Sequence, residues 1–308
     1  MEEKNHRIAY AFYSKRWAYD VDSKDKLEES STPIVPEEFS IEMKGKIFCP
    51  LCATPLSRSP SLKSISRNNI TAHFKHGDKH KYIESRKCGW RTASSKGYKY
   101  ENEEEARQAI EKQDLTIVHS WAELPPTIEN DIDDEGEYNR TAIEDENGPE
   151  TELAIGRHQG DKFKVPSRIS SLMAVCREFP LNLRRGFYFP NSQYPMMLSD
   201  QLYSVNSLLD TLPSKETLFF GQIESYGQLD YRNIIYLKSK SKYEVKIYTK
   251  PEHDKRKGID GRAQGRYLLF SANFYNEGSD SIIACKVLKW GAYSLLPRKY
   301  EKYLSSLS

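Results

Sequence analysis

Forty residues, Cys49 to Cys88, constrain this chain more than any other stretch. They open with Phe48-Cys49-Pro50-Leu51-Cys52, pass through Ala72-His73-Phe74-Lys75-His76 and close with Lys87-Cys88-Gly89-Trp90. Thiolates and neutral imidazoles are the ligands that a tetrahedral Zn²⁺ prefers, and a closed structural site takes four of them. Cys49 and Cys52 form a C-x2-C knuckle, in which Pro50 fixes φ and helps to curl both sulfurs toward one point. The second pair comes from His73, His76 and Cys88. On a helix or turn, His73 and His76 share a face at i,i+3 and give Cys2His2. On an extended segment they point apart, and one histidine with Cys88 gives Cys3His. His80 sits in a Lys-rich, Gly-containing loop and is the least suited. The expected cofactor is structural zinc, because neither H-E-x-x-H nor H-x-E with P-C-x-x-C, the metalloprotease and deaminase arrangements, is present.

The order C-P-x-C, then H-F-x-H, then a later cysteine resembles the N-terminal zinc finger of the competence protein CoiA and related bacterial proteins, over roughly residues 6–91. The resemblance implies work on DNA, since in that family the finger precedes a restriction-like nuclease. It also implies that the second histidine of H-F-x-H is the ligand, which selects Cys49, Cys52, His76 and Cys88 and keeps His73 in reserve. The chain departs from the family pattern by a Ser/Arg/Lys insertion between the knuckle and H-F-x-H, where Arg58, Lys63 and Arg67 are available to a phosphate backbone.

The other two cysteines of five, Cys176 and Cys285, lie in apolar patterns and read as core, so no disulfide framework is expected. No apolar run reaches membrane-span length, and Glu2, Glu3, Lys4 and Asn5 open the chain without a secretory signal, which points to a cytoplasmic protein. The whole-chain charge of +2 conceals an asymmetry: residues 123–153 hold twelve acids and one base, Arg140, leaving the remainder at +13. Three parts follow: residues 1–122 as a zinc-binding module, 123–160 as an acidic flexible linker and 161–308 as a basic α+β domain. Within the first, residues 6–21 fit a β-hairpin, Lys99–Gln113 a helix and Leu115–Trp121 a strand.

The last part is expected to carry two helices, Pro166–Phe179 (stopped by Pro180) and Asp200–Leu212, and five strands: Thr217–Ser225, Asn233–Lys238, Lys242–Thr249, Arg266–Phe274 and Ser281–Trp290. The fold class is α+β, a β-rich zinc-finger module followed by a five-stranded domain, either an OB-like barrel or a mixed sheet. Lys246, Lys250, Lys255, Arg256, Lys257, Arg262 and Arg266, interleaved with Tyr236, Tyr243, Tyr248 and Tyr267, form the pairing of bases and aromatic faces that single-strand binding surfaces use. Residues 255–262 read as a mobile basic loop.

The leading expectation is therefore a zinc-stabilised nucleic-acid-binding protein of bacterial, mobile-element or phage-defence type, acting on DNA that is single-stranded or processed, and not an enzyme. One alternative is a Mg²⁺-dependent nuclease using Asp230, Glu244 and Lys246, the last two sharing a strand face. Another is a protein-interaction adaptor that docks a partner on the aromatic loop 187–194.

Overall fold

A computed structural model describes residues 8–65, 71–91, 103–125, 150–154, 162–166, 169–190, 192, 194–208, 212–279 and 281–307. Most of the acidic segment, Arg67 and the start of the helix expected from Lys99 lie outside the described residues. The chain forms two compact units, residues 3–95 together with 302–307, and residues 96–301. No described helix is long and apolar enough to cross a membrane.

The smaller unit is built on β1 (Ala11–Tyr13), whose neighbours are β2 (Thr32–Ile34) and β3 (Ile47–Phe48), both antiparallel. Of the hairpin expected over residues 6–21, the described part, from Ile8 on, forms the single strand β1 followed by a turn. After Ser14 the chain turns through Trp17, whose ring packs edge-on to Phe48 at 4.6 Å, and enters α1 (Lys24–Ser30), capped by the Ser23 hydroxyl. Ile8 to Phe12 are all buried, because both faces of this central segment are covered. Part of that cover is the C-terminal residues: Tyr303 packs on Tyr10 at 5.4 Å, and the Ser306 hydroxyl donates to the Ala9 carbonyl at 2.9 Å. A second, two-stranded ladder pairs β4 (Leu56–Ser59) with β5 (His73–His76).

The larger unit begins with α2 (Glu103–Glu111) and β6 (Leu115–Ile117), where Ala106 and Ile110 pack on Leu115 and Ile117. The hairpin β7 (Glu150–Ala154) and β8 (Lys162–Pro166) follows, then α3 (Leu172–Arg177) and α4 (Phe179–Asn182). Pro180 opens α4 rather than ending a long helix, since its missing N–H costs nothing in a first turn. β9 (Gly186–Tyr188) pairs with β6 and with β10 (Met196–Met197). The helix expected over Asp200–Leu212 is only α5 (Leu198–Gln201), after which the chain extends as β11 (Leu202–Ser204), parallel to the next strand. Tertiary pairing overrides local helix preference there.

The main sheet holds β12 (Thr217–Gln228), β13 (Asn233–Lys238), β14 (Glu244–Thr249), β15 (Tyr267–Ala272), β16 (Phe274–Asn276), β17 (Ile282–Cys285) and β18 (Tyr293–Leu295). Its order is β16-β17-β14-β13-β12-β15-β18, with β11 added beside β12. All five expected strand runs are present, joined by three short strands. The architecture is a mixed α/β arrangement with several sheets and, among the described residues, no closed barrel. One sheet face is apolar: Ile235 opposes Ile247, Leu237 opposes Val245, and all four are buried. Phe219 and Phe270 stack at 5.8 Å beneath β12 and β15. A bulge between Ile223 and Ser225 bends the long β12, so that its second half leaves the core and Glu224 and Ser225 are exposed.

The segment 255–262 is not a mobile loop. It contains the end of α6 (Pro251–Arg256), and this helix plants Asp254 in the interior. The Asp254 carboxylate accepts from Thr249 (2.6 Å), Asn233 (2.7 Å), Tyr293 (2.8 Å) and Tyr226 (3.3 Å), tying α6 to β14, β13, β18 and β12. Burial nevertheless holds its pKa above the usual aspartate range, against the pull of those bonds. Gly291 is required: a Cβ there would lie 2.1 Å from the Ser170 carbonyl oxygen, where the backbones of 122–123 and 290–291 run together.

Candidate metal centre and candidate nucleic-acid interface

β3 delivers Cys49 into a tight turn. The Cys49 N–H bonds to the Thr54 carbonyl at 2.9 Å and the Ala53 N–H returns to Cys49 at 2.8 Å, with Ala53 at φ 55°. That closure swings Cys52 back toward Cys49. β4 leaves the turn and pairs with β5 so that Leu56 faces His76. Since β5 is extended, residues three apart lie on opposite sides. His76 shares the side of buried Phe74, while His73 turns away and its Nδ1 lies 3.0 Å from the Thr71 carbonyl oxygen. The loop after β5 returns through a 3₁₀ turn at Ile83–Lys87 to Cys88. Arg91 braces it by donating to the Ser85 hydroxyl (2.7 Å) and the Gly77 carbonyl (2.9 Å). Tyr82 packs against Gly77 too closely to admit a Cβ, whose distance to the ring would be 2.8 Å.

The ligand atoms of Cys49, Cys52, His76 and Cys88 all lie within 4.8 Å of one another, an arrangement that can hold a metal ion. The Cys49 and Cys88 sulfurs are 3.7 Å apart, and Cys52 Sγ is 3.4 Å from His76 Nε2. His80 stays outside the cluster, exposed beside Asp78. Complete burial, reinforced by its sulfur neighbours, pushes the Cys49 thiol well up. Cys88, drawn down by Cys49 but raised by Cys52 and by burial, stands at about 12. Cys52 is pushed down by contacts with Cys49 and Cys88, and further by His76 and Thr54. Three ionised thiols in so small a buried space repel one another, and a bound cation relieves that repulsion.

Arg58 of the insertion is committed to structure: its guanidinium donates to the carbonyls of Pro36 (2.6 Å), Pro60 (2.5 Å) and Lys63 (3.0 Å).

In the larger unit, the sheet face opposite the core carries a row of direct partners, Ser225, Tyr236, Lys246, Ala284 and Tyr275. The neighbouring pair is Ile234 and Tyr248. The Arg232 guanidinium lies over the Tyr248 ring at 3.8 Å, and Lys246 lies 5.9 Å from the centre of Tyr236. Tyr248 donates to Glu277 at 2.8 Å; burial first and this bond second raise its pKa to about 12. Lys246 also faces Glu244 (3.5 Å) and Glu277 (3.6 Å). At the tip of the β12–β13 hairpin, Tyr231 is 93% exposed and Leu229 48%. Tyr275, Tyr231 and Arg232 lie outside the stretch that the sequence singled out, whereas Tyr236 is one of its tyrosines.

The remaining candidates scatter. Lys255 is exposed, Lys250 precedes α6, and Arg256 and Tyr267 are half-buried. Arg262 pairs with Asp260, and Arg266 pairs with Glu301 while donating to the Leu296 carbonyl. Lys257 departs from a phosphate-binding role: it is 3% exposed, its ammonium donates to the Tyr293 carbonyl at 2.6 Å and lies over the Trp290 ring at 4.3 Å. The nuclease set does not converge. Asp230 is in the hairpin turn beyond Asn233, whose partner is Thr249, whereas Glu244 starts the same strand, at least about 17 Å away along it. The aromatic loop points inward, with Phe187 and Phe189 buried and stacked at 5.3 Å.

No protein-family model matches the chain, and no curated protein matches it. Among solved structures, a chain described as an aspartyl-tRNA synthetase of Leishmania major Friedlin is similar at 13% identity, over 31% of this chain and 20% of that one, with a TM-score of 0.23. Schizosaccharomyces pombe Pot1pC bound to ssDNA is similar at 14% identity, over 33% of this chain and 92% of that one, with a TM-score of 0.25. At such TM-scores neither likeness bears on function.

Proposed function

We propose that this protein is a zinc-stabilised module joined to a domain that binds single-stranded nucleic acid on the outer face of β13 and β14. The observation that carries the binding reading is the pair of partly exposed rings Tyr236 and Tyr275 on one face with Arg232, whose guanidinium covers the buried Tyr248, beside the exposed Tyr231. Aromatic faces accept any base by stacking, and cations beside them meet the phosphates.

The order of strand pairing supports an OB-like, partly open reading of this domain. β12 pairs with β13, β13 with β14, and β14 with β17 in parallel; β17 pairs with β16, and β15, one residue from β16, returns to β12. Folds of that order bind oligonucleotides on the face of strands two and three and on the loop between strands one and two. Those are β13, β14 and the Tyr231 hairpin. Zinc is supported by the donor set and its spacing. Bonds of about 2.3 Å to sulfur and about 2.0 Å to nitrogen give tetrahedral edges of about 3.8 Å for S–S and about 3.5 Å for S–N. One pair of each kind matches, Cys49–Cys88 at 3.7 Å and Cys52–His76 at 3.4 Å, and every other pair lies within 4.8 Å. Four protein ligands leave no open position, so the role is structural.

The test is fluorescence anisotropy with a labelled single-stranded DNA and the matching RNA. Tyr236→Ala is expected to weaken binding by about 1–3 kcal/mol, roughly 5- to 150-fold. Arg232→Ala is expected to make the salt dependence shallower by about 0.7 in log K against log salt. Full affinity in both variants would sink the reading.

A further inference from the structure

The interior hub on Asp254 and the Arg232–Tyr248 stack on the outer face are joined through the backbone. Asn233 and Thr249 are direct partners across β13 and β14, and both are buried, at 1% and 0% exposure. Side chains alternate along a strand, so the residues beside this inward pair point the other way. Those residues are Arg232, which precedes Asn233, and Tyr248, which precedes Thr249; the Arg232 guanidinium lies over the Tyr248 ring at 3.8 Å. A single oxygen of Asp254, Oδ2, accepts from both inward side chains, at 2.7 Å from Asn233 Nδ2 and 2.6 Å from Thr249 Oγ1. It fixes the spacing of the pair whose outward neighbours make the stack. The hairpin that carries Arg232 is held on its other strand too, since the Tyr226 hydroxyl reaches the same oxygen at 3.3 Å. Its tip is closed by the Leu229 N–H, which donates to the Arg232 carbonyl at 3.0 Å.

Stability alone does not account for a carboxylate at this place. Removing it strands its donors, yet a site built from apolar side chains of the same volume is often as stable or more so. What hydrogen bonds to four separate elements add is direction, because each bond fixes an angle as well as a distance. Direction matters for Arg232. Its long stem loses rotamer freedom when the guanidinium stacks on a ring, so the stack gains from a backbone already held in the right place. We propose that Asp254 is a positioning residue for nucleic-acid binding: by holding Asn233 and Thr249 together on the inner face, it sets Arg232 over Tyr248 on the outer face, where the guanidinium meets a phosphate of the single strand. Asp254 is fully buried and touches no ligand; it acts through Arg232. The inference rests on the reading of the β13–β14 face as the binding surface.

The experiment is a double-mutant cycle on the full-length protein, read by fluorescence anisotropy with a labelled oligothymidylate of about ten nucleotides. Asp254→Asn is expected to weaken binding about 5-fold in the parent, but less than about 2-fold where Arg232 is already alanine, since a residue that acts through Arg232 then has nothing to place. In the parent background it should also make the salt dependence shallower by about 0.7 in log K against log salt, the change expected of Arg232→Ala itself. Thr249→Val removes one donor to the carboxylate and keeps the shape of the side chain. It should show the same pattern at about 3-fold, and it keeps the test open if Asp254→Asn fails to fold. Gly291→Ala controls for lost stability and should leave the affinity unchanged; a matching loss there would assign the effect to stability and overturn the proposal. So would equal weakening by Asp254→Asn in both backgrounds, an unchanged salt slope, or full affinity in both Asp254→Asn and Thr249→Val. Failure of the underlying reading has a different signature: Tyr236→Ala and Arg232→Ala then both bind like the parent, and the positioning role falls with it.

Discussion

Replacing Asp254 by alanine removes one carboxylate and strands the donors that converge on it. Thr249, Asn233 and Tyr293 are each no more than 1% exposed, so their hydroxyl and amide groups lose an acceptor where water is scarce; Tyr226 is half-exposed and recovers one from solvent. An unsatisfied buried donor costs about 1–3 kcal/mol. Three of them set a range of about 3–9 kcal/mol, which water entering the new cavity brings toward about 3–5 kcal/mol. Asp254→Asn keeps one acceptor oxygen and should cost less, about 1–2 kcal/mol. The assay is urea unfolding of the full chain, followed by near-ultraviolet circular dichroism. A loss below about 1 kcal/mol in the alanine variant would refute the hub as a stabilising element. A pH series adds a sign. The folded-state pKa of Asp254 is raised, so the native state binds the proton more tightly than the unfolded chain. This contribution to stability is fully present at low pH and is lost as pH rises from the ordinary aspartate range through the raised value. Comparison of Asp254→Asn with the parent isolates that slope.

Other expected outcomes follow from single sites. Cys88→Ser should lower bound zinc, measured by elemental analysis, and lower the melting temperature of the N-terminal unit, while His73→Ala leaves both unchanged; equal loss in the two variants would contradict the assignment. Gly291→Ala should destabilise by about 2–4 kcal/mol in the same urea assay, because the Ser170 carbonyl and Ala122 N–H of adjoining segments occupy the space, and a neutral result would show that these backbones separate easily. Lys257→Met should reduce stability without altering the salt slope of oligonucleotide binding, since its ammonium is buried against Tyr293 and Trp290; a changed slope would place it at the phosphates after all.

What could be read in advance divides along physical lines. Metal ligation restricts residue identity so severely that the cysteines and histidines near the centre stood out of the sequence by chemistry alone. Likewise the alternation of Asn233–Lys238 and Glu244–Thr249 marks half-buried strands whatever lies around them. Helix lengths were less legible. The run 200–212 carries a helical apolar pattern, yet Leu202–Ser204 gain more by pairing with Leu218–Phe220 than by continuing α5. The charged run 250–257 reads as solvated because Lys, Asp and His are seldom buried, and only four partners from separate strands make Asp254 tolerable inside.

The sequence by itself determined the pool of metal ligands, the β-rich character of the second half and the concentration of acid in one segment, since each follows from residue chemistry or local periodicity. Residue chemistry alone leaves His73 and His76 open; the tertiary structure brings His76 to the cysteines, the choice that the resemblance implied, because β5 is extended and paired with β4. It alone removed Lys257 from the surface, separated Asp230 from Glu244, and assembled the Tyr236–Tyr275 row from residues far apart in the chain. Such groupings are set by long-range strand pairing, whose free energy no short window of residues contains.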